Sequence, residues 1–363
     1  MRKFFLSFLA FVLVTLMAAC RSGDTELILN PYANVDWEEY AHVLTNLHTH
    51  TDADDGHGAA LPHEAIDLYH DAGYGILALT DHNMVTYPWT FSSIAANYED
   101  RSPATLGMLD IPGNEYSRHH HFVGIFTEYE APYTANVSAT MRGVLNNSEE
   151  AIMFLAHPGR YWDIDKTYAL GEMYSPRWYL DRFEEFSPNE LAGLEVFNTD
   201  NRYPFDTHLW DRLLAESMPE RTIWAFSNDD FHGGDASEIG WSKAYHLLEN
   251  PMSKSEFRDS IVNGAFYVSH TREAGATPPT IASITHNVRR KTISVEVEGD
   301  YDQIRWISGI DEERMSKTVS TGDTFEYGHF EGNYIRAAIV FDEGLRNFAI
   351  TLTQPFGFSQ NQP

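Results

Sequence analysis

The sequence predicts an α/β fold in which parallel strands and helices close, or nearly close, into a barrel, followed by a small antiparallel β-sandwich. Three observations predict it. From about residue 39 to residue 275, short β-like apolar runs alternate with helical patterns, as serial βα units do. Many of those runs end in histidine or acid: His48-Thr49-His50, Asp81-His82, Glu115, His121, His157 and Asp230-Phe231-His232. After Pro278-Pro279 the pattern becomes period-two alternation broken by glycine turns, which reads as antiparallel strands.

Taken in order, the first barrel strand is Val43–Leu47. A helix starts at Pro62, a residue suited to the first helical position, turns Ala65, Ile66, Leu68 and Tyr69 inward, and stops at Gly73. Strands follow at Ile76–Leu79, Leu109–Ile111, Phe122–Phe126, Ile152–Ala156, Leu194–Phe197 and Ile223–Phe226, with helices at Pro176–Phe186 and Phe205–Ser217 among those between them. In the last segment, 276–363, the strands are 292–297, Gln303–Ile307, Tyr334–Phe341 and Phe348–Leu352. Few candidate catalytic clusters fall there, so it reads as a structural or docking module.

Composition narrows the function. The 363 residues include 22 Phe, 19 Tyr and 8 Trp and are 43% hydrophobic, which excludes a disordered chain. A formal net charge of -28 argues against nucleic acid and anionic membrane surfaces as partners. An acidic protein acting on anionic substrates needs local positive charge, which bound divalent cations would supply.

The N-terminus reads as an export signal. Arg2 and Lys3 precede an apolar stretch from Phe4 to Ala19 that falls short of the ~20 residues of a membrane span. It ends in Met17-Ala18-Ala19-Cys20, which resembles the bacterial lipoprotein signal. That resemblance implies cleavage after residue 19, lipidation of Cys20, and residence at the periplasmic face or cell surface, held to the membrane only by that anchor. Residues 20–38 then read as a tether. With one cysteine in the chain, a metal site must use nitrogen and oxygen ligands.

Each histidine-bearing strand end is weak evidence alone. His48 and His50 alternate on a strand and so share a face; Leu77–Leu79 runs into Thr80-Asp81-His82; Phe154–Ala156 runs into His157-Pro158, where proline forces the chain off the strand. A hydrogen-bonded core histidine would explain any one of these. With Ser227-Asn228-Asp229 running into Asp230-Phe231-His232, four such endings in one chain point to imidazoles and carboxylates gathered into a multinuclear metal site.

These segments resemble the PHP (polymerase and histidinol phosphatase) superfamily. The resemblance lies in His48-Thr49-His50-Thr51 with Asp55-Gly56, Thr80-Asp81-His82-Asn83, Gly113-Asn114-Glu115 with His121-Phe122-Val123-Gly124, Ala156-His157-Pro158, Glu195-Val196-Phe197-Asn198 and Asp230-Phe231-His232. Asp54 stands where the family's opening motif usually has Ser. The match spans roughly residues 43–270. It implies a distorted (β/α)7 barrel and three divalent transition metals (Mn, Fe or Zn) on nine ligands. One ion would take His48, His50, Glu115 and Asp230; a second would share Glu115 and add His121 and His157; the third would take Asp55, His82 and His232. In the histidine triplet 119–121, the spacing to Gly124 favours His121. Tyr334-Ile335-Arg336-Ala337 is similar to a strand in the β module attached to certain PHP hydrolases.

The implied activity is metal-dependent phosphoester hydrolysis by a metal-bridging hydroxide, since cations lower the pKa of water from 15.7 towards ~7. Arg160, three residues after His157, and Arg118, three before His121, are the candidates to pair with a phosphate. Asn198 is a candidate for orienting a ligand or loop, and Asp81 for turning a ligand histidine. Tyr161, Trp162, Trp89 and Trp241 could wall a pocket or pack in the core. Two other readings remain: hydrolysis of a carboxylic or carbamate ester or amide on the same site, and a non-catalytic surface-binding lipoprotein. A small-molecule or ester substrate is expected in the first two.

Overall fold

The computed structural model describes residues 25–53, 57–89, 102–132, 135–162, 174–273, 275–344 and 348–360. Cys20 and Asp55, expected to carry a lipid and to bind metal, lie outside them. In chain order the first half runs β1 (Thr25–Leu29), β2 (Ala41–Asn46), α1 (Pro62–Asp71), β3 (Ile76–Leu77), α2 (Pro103–Leu106), β4 (Leu109–Asp110), β5 (Gly113–Tyr116), β6 (Phe122–Ile125), α3 (Val137–Asn147), β7 (Ile152–Leu155) and α4 (Pro176–Glu185). Then follow β8 (Leu191–Asn198), α5 (Asp206–Ser217), β9 (Trp224–Asn228), β10 (Ser242–Leu248), α6 (Lys254–Asn263) and β11 (Phe266–Thr271). The remainder is all β: β12 (Thr280–Asn287), β13 (Thr292–Glu298), β14 (Gln303–Ile310), β15 (Ser316–Thr321), β16 (Thr324–Glu326), β17 (Tyr334–Asp342), β18 (Phe348–Leu352) and β19 (Phe356–Gln360).

The architecture is mixed α/β with a large β component. β2, β3 and β4 pair in parallel, as do β7, β8 and β9, but the two sets belong to different sheets. The sheets meet at two isolated parallel bridges, Thr49 with Phe231 and His82 with Glu115. Serial parallel units were expected throughout; β5–β6–β7 are antiparallel instead. Residues 117–121, which join β5 to β6, are too few for a crossover, which needs a dozen or more.

Helices form where local chemistry favours them. α1 opens with Pro62 and the Glu64 carboxylate accepts the Leu61 N–H at 2.9 Å, closing its first turn. Ala65, Ile66 and Tyr69 are buried as its period requires, with Leu68 half-buried beside them. Ser175 and Ser253 cap α4 and α6 through their side chains.

The last β segment is continuous with the rest. β18 pairs with β11, β11 with β10, and β10 with β2, so a single eleven-stranded sheet runs from residue 352 to the strand that leads into His48. Its two faces bury different cores. Ala244, Leu248, Phe266 and Val268 face the main core, while Tyr245, Leu247 and Tyr267 face a second one. The small sheet β12–β13–β16 covers that second core with Ile281, Ile293, Val295 and Phe325. Residues 25–29, read as tether, are corrected to strand: β1 pairs antiparallel with β19, and buried Thr25 donates to the Phe330 carbonyl at 2.7 Å. Pairing there satisfies the backbone of a sheet edge that a loose tether would leave open.

The β segment also grips α5. The Arg336 guanidinium binds both carboxylate oxygens of Asp211 (2.8 and 2.6 Å), and Tyr334 Oη donates to the same carboxylate at 2.9 Å, all buried. Burial alone would weaken Arg336's charge, but Asp211 more than restores it. Among the described residues no helix is long and apolar enough to cross a membrane.

Candidate metal centre

The histidines and acids converge where β2, β3, β5, β7 and β9 end. Asparagines stitch the ends together. Asn228 accepts the Leu47 N–H (2.8 Å), and Asn46 accepts the Asp229 N–H (2.8 Å) while its amide donates to the His48 carbonyl (3.0 Å). The backbone adds His50 N–H to Phe231 O at 2.8 Å and Asn83 N–H to Glu115 O at 2.8 Å. Two candidate ligands take left-handed backbone angles, His157 at φ 26° and Asp230 at φ 47°. Such angles cost of order 1–3 kcal/mol each and persist only where the surroundings enforce them.

Glu115 lies at the middle. Its Oε1 is 2.8 Å from His121 Nδ1, 3.1 Å from His157 Nε2 and 3.4 Å from His48 Nε2; its Oε2 is 2.6 Å from His82 Nε2 and 3.4 Å from His50 Nε2. Asp230 Oδ1 lies 3.1 Å from both His48 Nε2 and His50 Nε2 and 3.6 Å from His232 Nδ1. Four groups have ligand atoms within 4.8 Å of one another: His48 with Glu115 and His157; His48, His50 and Asp230; His82, Glu115 and His121; and His50, His82 and His232. Eight of the nine sequence-assigned ligands are therefore brought together. The grouping departs from the family allotment at His50, which stands with His82 and His232 as well as with His48, and at His82, which also stands with Glu115 and His121.

The donor set fits divalent cations. Among the described residues, His48 Nε2, His50 Nε2 and Asp230 Oδ1 are buried without a hydrogen-bond partner, although oppositely polar atoms sit 3.1–3.4 Å away. Unpaired buried polar atoms are costly, and lone pairs aimed at a common point are what a cation would satisfy. The electrostatics agree. Burial opposes charge on Glu115 and Asp230, yet the surrounding imidazoles hold both carboxyls well below the usual range. Burial likewise opposes a charged His48, but Asp230, Glu195 and Glu115 together raise its pKa well above the ordinary value.

Glu195 is the residue whose role the sequence reading missed. Fully buried, it accepts from His48 Nδ1 (2.9 Å) and Asn228 Nδ2 (2.9 Å) through Oε1, and from the His157 N–H (2.8 Å) and Asn198 Nδ2 (2.9 Å) through Oε2. It thereby fixes the His48 ring with Nε2 turned to the site. An acid in a Glu-Val-Phe-Asn strand end, residues 195–198, was the available signal. Asp229, the neighbour of Asp230, turns away and accepts from Tyr69, Tyr74 and the amides of Gly240, Trp241 and Ser242. In the triplet, His121 reaches Glu115, while His120 is buried against Tyr179 Oη at 3.1 Å.

A cavity of about 580 Å³ opens over the site, lined by His157, Asp230 and His232 together with Arg160, Asn198, Thr199, Asp200, Arg202, Tyr203, Ser237, Glu238 and Trp241. Arg160 and Asn198, the two substrate candidates among them, line this cavity, and Asn198 also braces Glu195. Arg202 was not anticipated, because nothing in a loop's sequence reports which way it faces. Gly159 lets the Arg160 turn pack against the start of α5, since a Cβ there would lie 2.6 Å from Asp206 Oδ1. Arg118 is corrected: its Nη1 donates to the Ala131 carbonyl at 2.7 Å, and it lines a separate narrow recess with Asn83, His119 and His120. Asp81 braces the first strand end through the Thr51 N–H (2.5 Å) and Oγ1 (2.8 Å), which makes it a positioning residue. Of the four aromatics, Trp241 lines the cavity, and Trp89, Tyr161 and Trp162 are buried.

No protein-family model and no curated protein matches the chain. Among solved structures it is similar to a two-domain protein from Bacteroides vulgatus containing a predicted PHP-like metal-dependent phosphoesterase, with 14% identity, a TM-score of 0.49, and coverage of 93% of this chain and 91% of that one. It is also similar to an amidohydrolase from Chromobacterium violaceum with bound sulfate and no metal, with 18% identity, a TM-score of 0.32, and coverage of 52% and 87%.

Proposed function

We propose that this chain is a metal-dependent hydrolase of the PHP superfamily, a phosphoesterase working at a trinuclear site on a distorted (β/α)7 barrel closed through the Thr49–Phe231 and His82–Glu115 bridges. The observation that carries the reading is the convergence of six imidazoles on the Glu115 and Asp230 carboxylates, with buried lone pairs left unsatisfied between them. His48, His50, His82, Glu115, His121, His157, Asp230 and His232 would hold the ions, with Asp55 as the ninth ligand. Bound manganese, iron or zinc would supply a water acidified towards neutral pH and positive charge at the reacting oxygens.

The chain's own groups have defined tasks. Glu195 keeps the His48 ring and the His157 backbone in place. Arg160 and Arg202 give an otherwise acidic molecule two cations at the cavity, suited to binding a phosphate as a fork. Asn198 ties the cavity floor to Glu195.

The test is a panel of phosphomonoesters, phosphodiesters, aryl esters and amides, offered to purified protein loaded with each metal and to protein stripped by chelator. Phosphoester turnover lost on stripping and restored by metal is expected. Turnover confined to carboxylic esters or amides would transfer the site to the second substrate class. Activity undiminished in chelator would overturn the metal mechanism. Export and acylation at Cys20 belong to the same proposal. Labelled fatty acid should be incorporated into the wild-type chain in a bacterial host and not into Cys20→Ser; equal labelling of both would refute the anchor.

A further inference from the structure

We infer that His120 and Tyr179 are positioning residues for the ion between His121 and His157, an inference that rests on the metal-centre reading above. They act through the backbone that carries the two rings. His120 Nδ1 lies 2.8 Å from the His121 carbonyl oxygen. A carbonyl only accepts, so Nδ1 bears the ring's proton and Nε2 is left as an acceptor. Tyr179 Oη meets that acceptor at 3.1 Å and the Pro158 carbonyl oxygen at 3.2 Å, so its one hydrogen is shared between them. One ring and one hydroxyl thereby tie the His121 stretch to the residue that follows His157.

His157 is held from both sides. The His121 carbonyl also accepts the Ala156 N–H at 3.1 Å, so the residues before and after His157 are both anchored to the 120–121 stretch. His157 itself sits at φ 26°, a backbone state that persists only where the surroundings enforce it. The two imidazoles this frame presents stand 5.0 Å apart, centroid to centroid, with Glu115 Oε1 2.8 Å from His121 Nδ1 and 3.1 Å from His157 Nε2. Aromatic packing fixes the tie. The buried His120 ring stacks on Trp178 at 4.9 Å and lies 4.5 Å from the Tyr161 ring, whose hydroxyl donates to the His119 carbonyl at 2.9 Å. Trp178 and Tyr179 both come from α4, so a helix outside the candidate ligand set governs the spacing of two ligands. An apolar ring could fill the same space; it could not make the two polar contacts that reach these backbones.

Protein freed of metal is titrated with Zn²⁺ against a chromophoric chelator, comparing wild type with His120→Phe, Tyr179→Phe and His121→Ala. His120→Phe keeps the ring packing and loses both polar contacts, whereas Tyr179→Phe removes a single oxygen. Changing groups that orient a ligand costs ~10–100-fold in affinity, so each should weaken one binding step by about 10-fold. That step should be the one His121→Ala weakens most, with the others unchanged. His120→Asn, whose amide can still reach the His121 carbonyl, should lose less than His120→Phe. Titrations of His120→Phe and Tyr179→Phe that superimpose on wild type overturn the proposal, as does an equal loss at every step. A wild-type chain that binds no Zn²⁺ removes the metal-centre reading itself, an outcome distinct from silent variants. Thermal melts of the metal-free proteins control for folding; should His120→Phe fail to fold, Tyr179→Phe decides by the same criteria.

Discussion

At the scale of single residues, the site depends on carboxylates whose hydrogen-bond capacity is spoken for. Glu195 engages four donors at the ends of β2, β7, β8 and β9, so Glu195→Gln turns one of its two acceptor oxygens into an amide donor that faces either His48 and Asn228 or the His157 N–H and Asn198. Metal affinity should fall ~10–100-fold in a chelator competition. Asp206 gives a prediction in pH. Burial first, and Glu195 second, raise its pKa well above 3.8, opposed only by the Gly159 N–H. A raised folded-state pKa means the native chain keeps a proton that the unfolded chain releases, so stability is lost as pH rises. Asp206→Asn, which imitates the protonated form, should melt like wild type below pH 3.8 and increasingly above it as pH rises. A constant difference across pH would contradict this.

At the scale of elements, α5 joins the site to the β segment. Its first residue packs behind the Arg160 turn, and one turn later Asp211 receives Arg336 and Tyr334. Arg336→Ala would strand the Asp211 carboxylate in the core, and breaking a buried pair in this way typically costs about 3–5 kcal/mol. Urea unfolding should show that loss. Replacing Asp211 and Arg336 together by apolar residues should cost less than the sum of the two single changes.

At the scale of the whole molecule, the chain does not divide cleanly at residue 275. The eleven-stranded sheet crosses that point, and its second face, with Tyr245, Leu247 and Tyr267, is covered among the described residues by residues beyond it and by the stretch around Tyr32. A chain ending at residue 275 should therefore lack a cooperative thermal melt, followed by circular dichroism, rather than yield a working hydrolase. A cooperative melt with metal binding intact would show the β segment to be dispensable.

The sequence by itself determined which residues could be ligands, because imidazoles and acids at strand ends are visible as text, and strands β2 to β4 and β6 to β9 announced themselves by apolar runs, whereas β5, Gly-Asn-Glu-Tyr, did not. It also placed α1, α4 and α5, whose starts carry proline, serine or aspartate signals. Only the tertiary structure decided which of two adjacent acids faces inward, that Arg118 serves a carbonyl, that Arg202 reaches the cavity, and that residues 25–29 close a sheet edge. The physical reason is common to these cases. Periodicity and caps act within a few residues, whereas side-chain direction at a strand end and the pairing of a sheet edge depend on partners tens or hundreds of residues away.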